Sequence, residues 1–137
     1  MTVPEKSISC VFVYGTLKRG QLREDRWPHA AKRVTRATTL GALYDLGAYP
    51  AMLSGGDVVV GELWCFEEQQ MPETLRVLDE IEDYYGEPTD LYQRVIIECK
   101  SLDGQRNLAY TYRYAAAPDE SMRVDPGPDG QVRWPSD

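Results

Sequence analysis

The sequence predicts a single mixed α+β domain, mostly strand with one principal helix, in which the strands form a small barrel or a strongly curved sheet. Three observations carry this. Short apolar runs rich in β-branched and aromatic residues are separated by turns rich in Gly, Pro and Asp. One stretch, residues 72–84, has helical rather than alternating periodicity. The 137 residues suffice for one core, and no internal repeat or second domain appears. Residues 1–8 are expected to be a leader, 9–114 the domain, and 115–137 a C-terminal loop or tail rich in Pro, Gly and Asp.

The first strand is the apolar run Cys10-Val11-Phe12-Val13, which enters the loop Tyr14-Gly15-Thr16-Leu17-Lys18-Arg19-Gly20. Gly15 is expected to give that loop a backbone conformation closed to most residues, and Gly20 to end it. A loop held at its base by a buried strand can turn its amide N–H groups toward a ligand. Lys18 is expected to point to solvent. The spacing from Gly15 to Gly20 matches a phosphate loop, but Gln21-Leu22 stands where lysine and a hydroxyl are required. Residues 23–33 read as a short helix broken by Pro28, with Trp27 packed on the core or surface.

A long strand follows over 35–46, bent or bulged at Gly41, and Gly47-Ala48-Tyr49-Pro50 breaks it. A short strand over 51–53, a turn over 54–57 and a strand over 58–66 come next. Gly61 within the last marks a bulge or a close backbone approach, and Glu62 beside it is a supporting acid or a solvent-facing one. Strands over 91–100 and 108–114 are joined by the hairpin turn Ser101-Leu102-Asp103-Gly104. Tyr110, Tyr112 and Tyr114 share one face, a stripe that favours packing over chemistry. Whether Trp134 docks on the body is open.

The helix carries one violation of its own pattern. On a wheel of about 100° per residue, Leu75, Val77, Leu78, Ile81 and Tyr85 fill one arc, and Glu82 falls inside it. Asp79, Glu80 and Asp83 fall outside. Pro72 suits the first turn and Gly86 is expected to stop the helix. A carboxylate turned toward the core loses hydration unless partnered. It either reaches water or Arg94, or marks a functional site with its pKa raised toward that of a general base.

The net charge of −7 disfavours nucleic acid and anionic membranes as partners. No apolar run reaches the roughly 20 residues of a membrane helix, and residues 1–9 carry no signal-peptide core, so a cytoplasmic location is expected. Cys10, Cys65 and Cys99 lack paired spacing and read as buried apolar residues. The lone His29 excludes a histidine-rich metal site.

The loop from Tyr14 to Gly20 resembles the signature loop of the γ-glutamylcyclotransferase / AIG2-like superfamily, in particular its γ-glutamylamine cyclotransferase branch. Further matches follow in order: Gly47-Ala48-Tyr49-Pro50, Gly61-Glu62-Leu63-Trp64, Leu78-Asp79-Glu80-Ile81-Glu82 and Tyr92-Gln93-Arg94, together covering roughly residues 10 to 114. The resemblance implies a mostly antiparallel β-barrel flanked by helices, with a pocket at the end of the first strand. It implies Glu82 as catalytic acid and base, and Tyr14, Gly15, Thr16, Leu17, Tyr49 and Tyr92 as substrate-binding residues. The implied reaction cleaves a γ-glutamyl amide by intramolecular cyclisation to 5-oxoproline and a free amine, with no metal and no cofactor. The implied partner is a small-molecule γ-glutamyl substrate; the oligomeric state and the leaving amine are not readable. The rival is a non-catalytic small-molecule-binding or interaction domain on the same scaffold. A hydrolase with a Cys or Ser nucleophile is disfavoured because no nucleophile elbow is present.

Overall fold

Four residues close the barrel. In the computed structural model, which describes residues 8–135, β1 (Cys10–Val13) pairs antiparallel with β3 (Pro50–Cys65) on one side. On the other it pairs parallel with β5 (Arg106–Tyr114). β2 (Arg33–Asp45) and β4 (Tyr92–Ser101) complete the ring in the order β1-β5-β4-β2-β3 and back to β1. The remaining ladders of the ring are antiparallel. β6 (Gln131–Val132) adds a short parallel pairing to β3. The helix α1 (Met71–Ile81) flanks the barrel. The expected small, mostly antiparallel barrel with a flanking helix is therefore the observed one. The expected leader lies outside the described residues apart from the buried Ile8.

Alternation along β1 builds two apolar layers. Phe12, followed by Tyr14, points into the barrel with Leu43, Met52 and Leu63. Val11 and Val13 point outward, into a second cluster with Leu78 of α1 and Tyr110 and Tyr112 of β5. Burying a side chain such as Leu78 contributes roughly 1.5–3 kcal/mol, so this second layer fixes the helix to the strand that feeds the loop. Gly61 sits where the two strands cross: a Cβ there would collide with the Val13 carbonyl oxygen and the Phe12 ring. The expected close approach is real.

Several local expectations are corrected. The turn predicted over 54–57 is not a turn. β3 runs straight through it, with Gly41 opposite Asp57 and Ala42 opposite Leu53, so residues 54–56 bulge out of the ladder. The short helix expected over 23–33 is only a 3-10 turn at Glu24–Arg26. Cys10 and Cys65 are not separate apolar residues: they face each other across β1 and β3 and form a disulfide. Cys99 is the free, buried cysteine, its thiol pushed up to about 11 by burial.

The segment beyond β5 is mostly loop, with a 3-10 turn at Glu120–Met122, and it returns to the body. Trp134 is buried in the barrel core. Residues 136 and 137 lie outside the described residues. Among the described residues, no helix is long and apolar enough to cross a membrane.

Candidate active site

The loop leaving β1 spends its carbonyls and keeps its amides. The Gly15 carbonyl accepts from Lys18 N at 3.1 Å and the Thr16 carbonyl from Arg23 N at 2.7 Å. The Leu17 carbonyl accepts from Trp27 Nε1 at 3.1 Å. The N–H groups of Gly15, Thr16 and Leu17 donate to no group among the described residues. Three consecutive free amides in residues that line a cavity form a ready acceptor for negative charge.

Three side chains brace this loop from outside. Trp27 stacks on Trp64, ring centroids 4.5 Å apart. Glu62 Oε1 accepts from Arg19 N at 2.9 Å and from Trp64 Nε1 at 3.1 Å, so this acid supports the loop rather than facing solvent alone. Lys18 does not point to solvent. Its Nζ donates to the Trp134 carbonyl at 2.5 Å, and burial holds its pKa below the usual lysine range.

Gly15 is needed for space, not for dihedral freedom. Its φ is not positive, whereas those of Gly20 and Gly47 are 81° and 101°. A Cβ on Gly15 would lie 2.7 Å and 2.8 Å from Pro50 Cγ and Cδ. Pro50 ends the second loop, where Leu46 N bonds the Tyr49 carbonyl at 3.0 Å and Gly47 N bonds Asp45 Oδ1 at 2.9 Å. The same Asp45 oxygen accepts from Trp134 Nε1 at 3.0 Å. Trp134 thus braces both loops at once.

A cavity of about 400 Å³ opens between these loops and the end of α1. That is the size of a small-ligand site. Its lining includes all seven residues singled out from the sequence: Tyr14, Gly15, Thr16, Leu17, Tyr49, Glu82 and Tyr92. Tyr14 donates its hydroxyl to the Tyr112 carbonyl at 2.5 Å, and Tyr92 to the Pro50 carbonyl at 2.8 Å. Burial raises the pKa of both, so they stay protonated and serve as walls and struts. Tyr49 is partly exposed and meets Tyr92 edge-on at 6.4 Å.

Glu82 owes its placement to how the helix ends. The stop is at Asp83, not Gly86. Asp83 adopts a left-handed φ of 52°, Asp83 N bonds the Glu80 carbonyl and Tyr84 N bonds the Asp79 carbonyl at 2.8 Å. This is a Schellman ending with Asp where glycine is usual. Glu82 is the cap residue, and its side chain lines the cavity. Among the described residues nothing donates a hydrogen bond to its carboxylate. Burial pushes its pKa up to about 7, against a smaller downward pull from the Arg23 guanidinium, with Asp83 adding to the rise. Arg94, weighed as a partner for Glu82, belongs to Asp79, which it meets at 2.7 Å.

Two contributors escaped sequence reading. Arg23 lines the cavity and is the one lysine or arginine in its lining, yet it stands in a charged stretch that reads as a solvated face. Asp79 falls outside the apolar arc but is half-buried, accepting from Arg94 and from the Tyr112 hydroxyl at 2.6 Å. No periodicity marks the first; only the i, i+3 spacing to Glu82 hints at the second.

Residues 11–133 match the family model described as gamma-glutamyl cyclotransferase, AIG2-like. The chain belongs to this family. Among curated relatives, a gamma-L-glutamyl-butirosin B gamma-glutamyl cyclotransferase from Niallia circulans is 35% identical over 108 residues, 76% of this chain and 65% of the relative. The match thus spans just under two thirds of that relative's length. A putative gamma-glutamylcyclotransferase from Vibrio cholerae is 39% identical over 89 residues, 64% of this chain and 70% of the relative. The crystal structure of an AIG2-like protein from Mus musculus superposes with a TM-score of 0.61 at 26% identity, covering 92% of this chain and 95% of that one. The γ-glutamylcyclotransferase fold is therefore shared over nearly the whole chain.

Proposed function

We propose that this protein is a cofactor-independent γ-glutamylcyclotransferase that converts a γ-glutamyl amide to 5-oxoproline and a free amine. One observation carries the reading. Glu82, an unpartnered carboxyl poised near neutrality, shares a cavity with the free amides of Gly15, Thr16 and Leu17. The names of both curated relatives specify γ-glutamyl chemistry, which supports the same class here.

The ionised Glu82 takes a proton from the substrate α-ammonium. The amine nitrogen then attacks the γ-carbonyl carbon, closing a five-membered ring. Because the attack is intramolecular, holding the chain bent supplies much of the acceleration. The loop amides hold the substrate carboxylate or the developing oxyanion. Collapse breaks the bond between the γ-carbon and the leaving nitrogen. Of the three ammonium protons, one stays on the lactam nitrogen and two end on the leaving amine, which departs as an ammonium ion. Glu82 carries a proton between the two nitrogens and ends ionised, as it began.

The test is 5-oxoproline release from a panel of γ-glutamyl amides by the native protein and by Glu82→Gln. Gln keeps the shape but carries no titrating proton. The variant is expected to fold, to bind and to lose about 10²–10⁴-fold in turnover. Native activity is expected to rise with pH through an ionisation near 7 that the variant lacks. Binding without turnover by the native protein would place it as a binding module; an active Glu82→Gln would remove the acid from the mechanism.

A further inference from the structure

Arg23 is the cation the chemistry above leaves unused. It lines the cavity with Glu82, and its backbone N–H is tied to the Thr16 carbonyl at 2.7 Å, so its Cα moves with the amide loop. Its guanidinium joins none of the ion pairs or side-chain hydrogen bonds among the described residues, unlike Arg19, Arg76, Arg94 and Arg123. A half-buried, unpaired guanidinium in a cavity is a group waiting for an anion.

We propose that Arg23 binds the α-carboxylate of the γ-glutamyl group and so orients the neighbouring α-ammonium toward Glu82. This rests on the γ-glutamyl reading. The substrate end is a zwitterion, its ammonium and carboxylate on one carbon. The cavity offers the opposite pair: the carboxylate of Glu82, with the exposed Asp83 and the half-buried Asp90 also in its lining, and, among lysines and arginines, one guanidinium. An α-ammonium held at Glu82 places the carboxylate of the same carbon close by, within reach of a long, planar, two-pronged donor. With the carboxylate on Arg23, the amides of Gly15, Thr16 and Leu17 are left for the γ-carbonyl oxygen, where charge develops. Arg23 is therefore a substrate-binding residue that selects γ-glutamyl over other ω-acyl groups.

The carboxylate itself can be deleted from the substrate. A 4-aminobutyryl amide has the same amine, chain length and leaving group, and cyclises to pyrrolidin-2-one. KM and kcat are measured for the γ-glutamyl and 4-aminobutyryl amides of one amine, with the native protein, Arg23→Ala and Arg23→Lys. Hydrogen bonds to charged groups imply that Arg23→Ala raises KM for the γ-glutamyl amide by about 10- to 100-fold. The same change leaves the 4-aminobutyryl amide within about 3-fold, because the partner is already gone. Arg23→Lys restores part of the loss. The Ala variant also moves the activity midpoint to higher pH. Asp83 and the protonated Tyr14, Tyr92 and Tyr112 still interact with Glu82, while the Arg23 guanidinium, which favours its ionised form, is removed.

Equal losses with both amides, or none with either, would overturn the assignment, as would no binding of a γ-glutamyl amide by the native protein. Calorimetry on Glu82→Gln, with and without Arg23→Ala, separates this from the wider reading. If carboxylate-dependent binding needs Arg23 but the native protein releases no 5-oxoproline, the arginine assignment stands and the catalytic one falls.

Discussion

Asp79 and Glu82 stand three residues apart at the end of α1, and only one of them has partners. Asp79 accepts from Arg94 of β4 at 2.7 Å and from Tyr112 of β5 at 2.6 Å. Glu82 faces the cavity with neither. One carboxylate clamps the helix to the barrel, and the clamp leaves the other free to titrate. Asp79→Asn is expected to cost about 1–3 kcal/mol, between exposed and buried pairs, since both partners are roughly a quarter exposed. Urea unfolding measures the loss. The pH midpoint of activity should stay where Glu82 puts it, which separates a clamp from a catalytic acid.

The raised pKa of Glu82 has a cost that a stability profile exposes. Its carboxyl holds its proton more tightly when folded, so its favourable contribution is fully present below about pH 4.5 and is lost as pH rises through about 7. Glu82→Gln removes this dependence. The variant is expected to match the native protein near pH 4.5. By pH 8.5 it should gain on the order of 3 kcal/mol relative to it, an upper limit for a group near the surface. Denaturation curves across that range decide the point; parallel native and variant profiles would contradict the burial argument.

Gly15 and Gly20 bound the same loop and should fail differently. A methyl on Gly15 meets Pro50 carbons at under 3 Å, so one of the two cavity-lining loops has to move. Small displacements of reacting groups cost up to about 10²-fold, and Gly15→Ala is expected to lose γ-glutamyl binding on that scale. Gly20 has open space around it but a φ of 81°. Gly20→Ala is expected to cost about 1 kcal/mol of stability and leave affinity intact. Calorimetric titration beside thermal melting distinguishes the two.

Trp134 joins the outer sides of both loops through Lys18 and Asp45. Trp134→Ala is expected to destabilise by roughly 3–5 kcal/mol, the range for a buried aromatic. Trp134→Phe keeps most of the buried ring and loses only the bond to Asp45. It should fold nearly normally and raise KM for the γ-glutamyl amide more than it lowers kcat. An unchanged KM in the Phe variant would show that the second loop needs no brace.

The strands and helix were legible because local pattern decides them: β1, the bulge at Gly41, the hairpin at Gly104 and the close approach at Gly61 all follow from residue type. The inward placement of Glu82 was legible as a pattern violation. What escaped depends on register between distant segments. Cys10 and Cys65 become neighbours only once β1 is set against β3, 55 residues away. The turn over 54–57 fails because β2 is long enough to keep pairing past the bulge. Lys18 is drawn inward by a carbonyl 116 residues along the chain. Arg23 has no local signal at all, since an unpaired arginine and a solvated one look alike in sequence.

The parallel pairing of β1 with β5 sets Val11 beside Tyr110, and the Thr111 hydroxyl donates to the Phe12 carbonyl across a separation of 99 residues. Contacts of such high order form slowly, because the loop they close is entropically expensive. During synthesis the amide loop leaves the ribosome before Glu82, and Glu82 before β5. A chain halted before residue 111 holds both halves of the site and lacks the edge that brings them together.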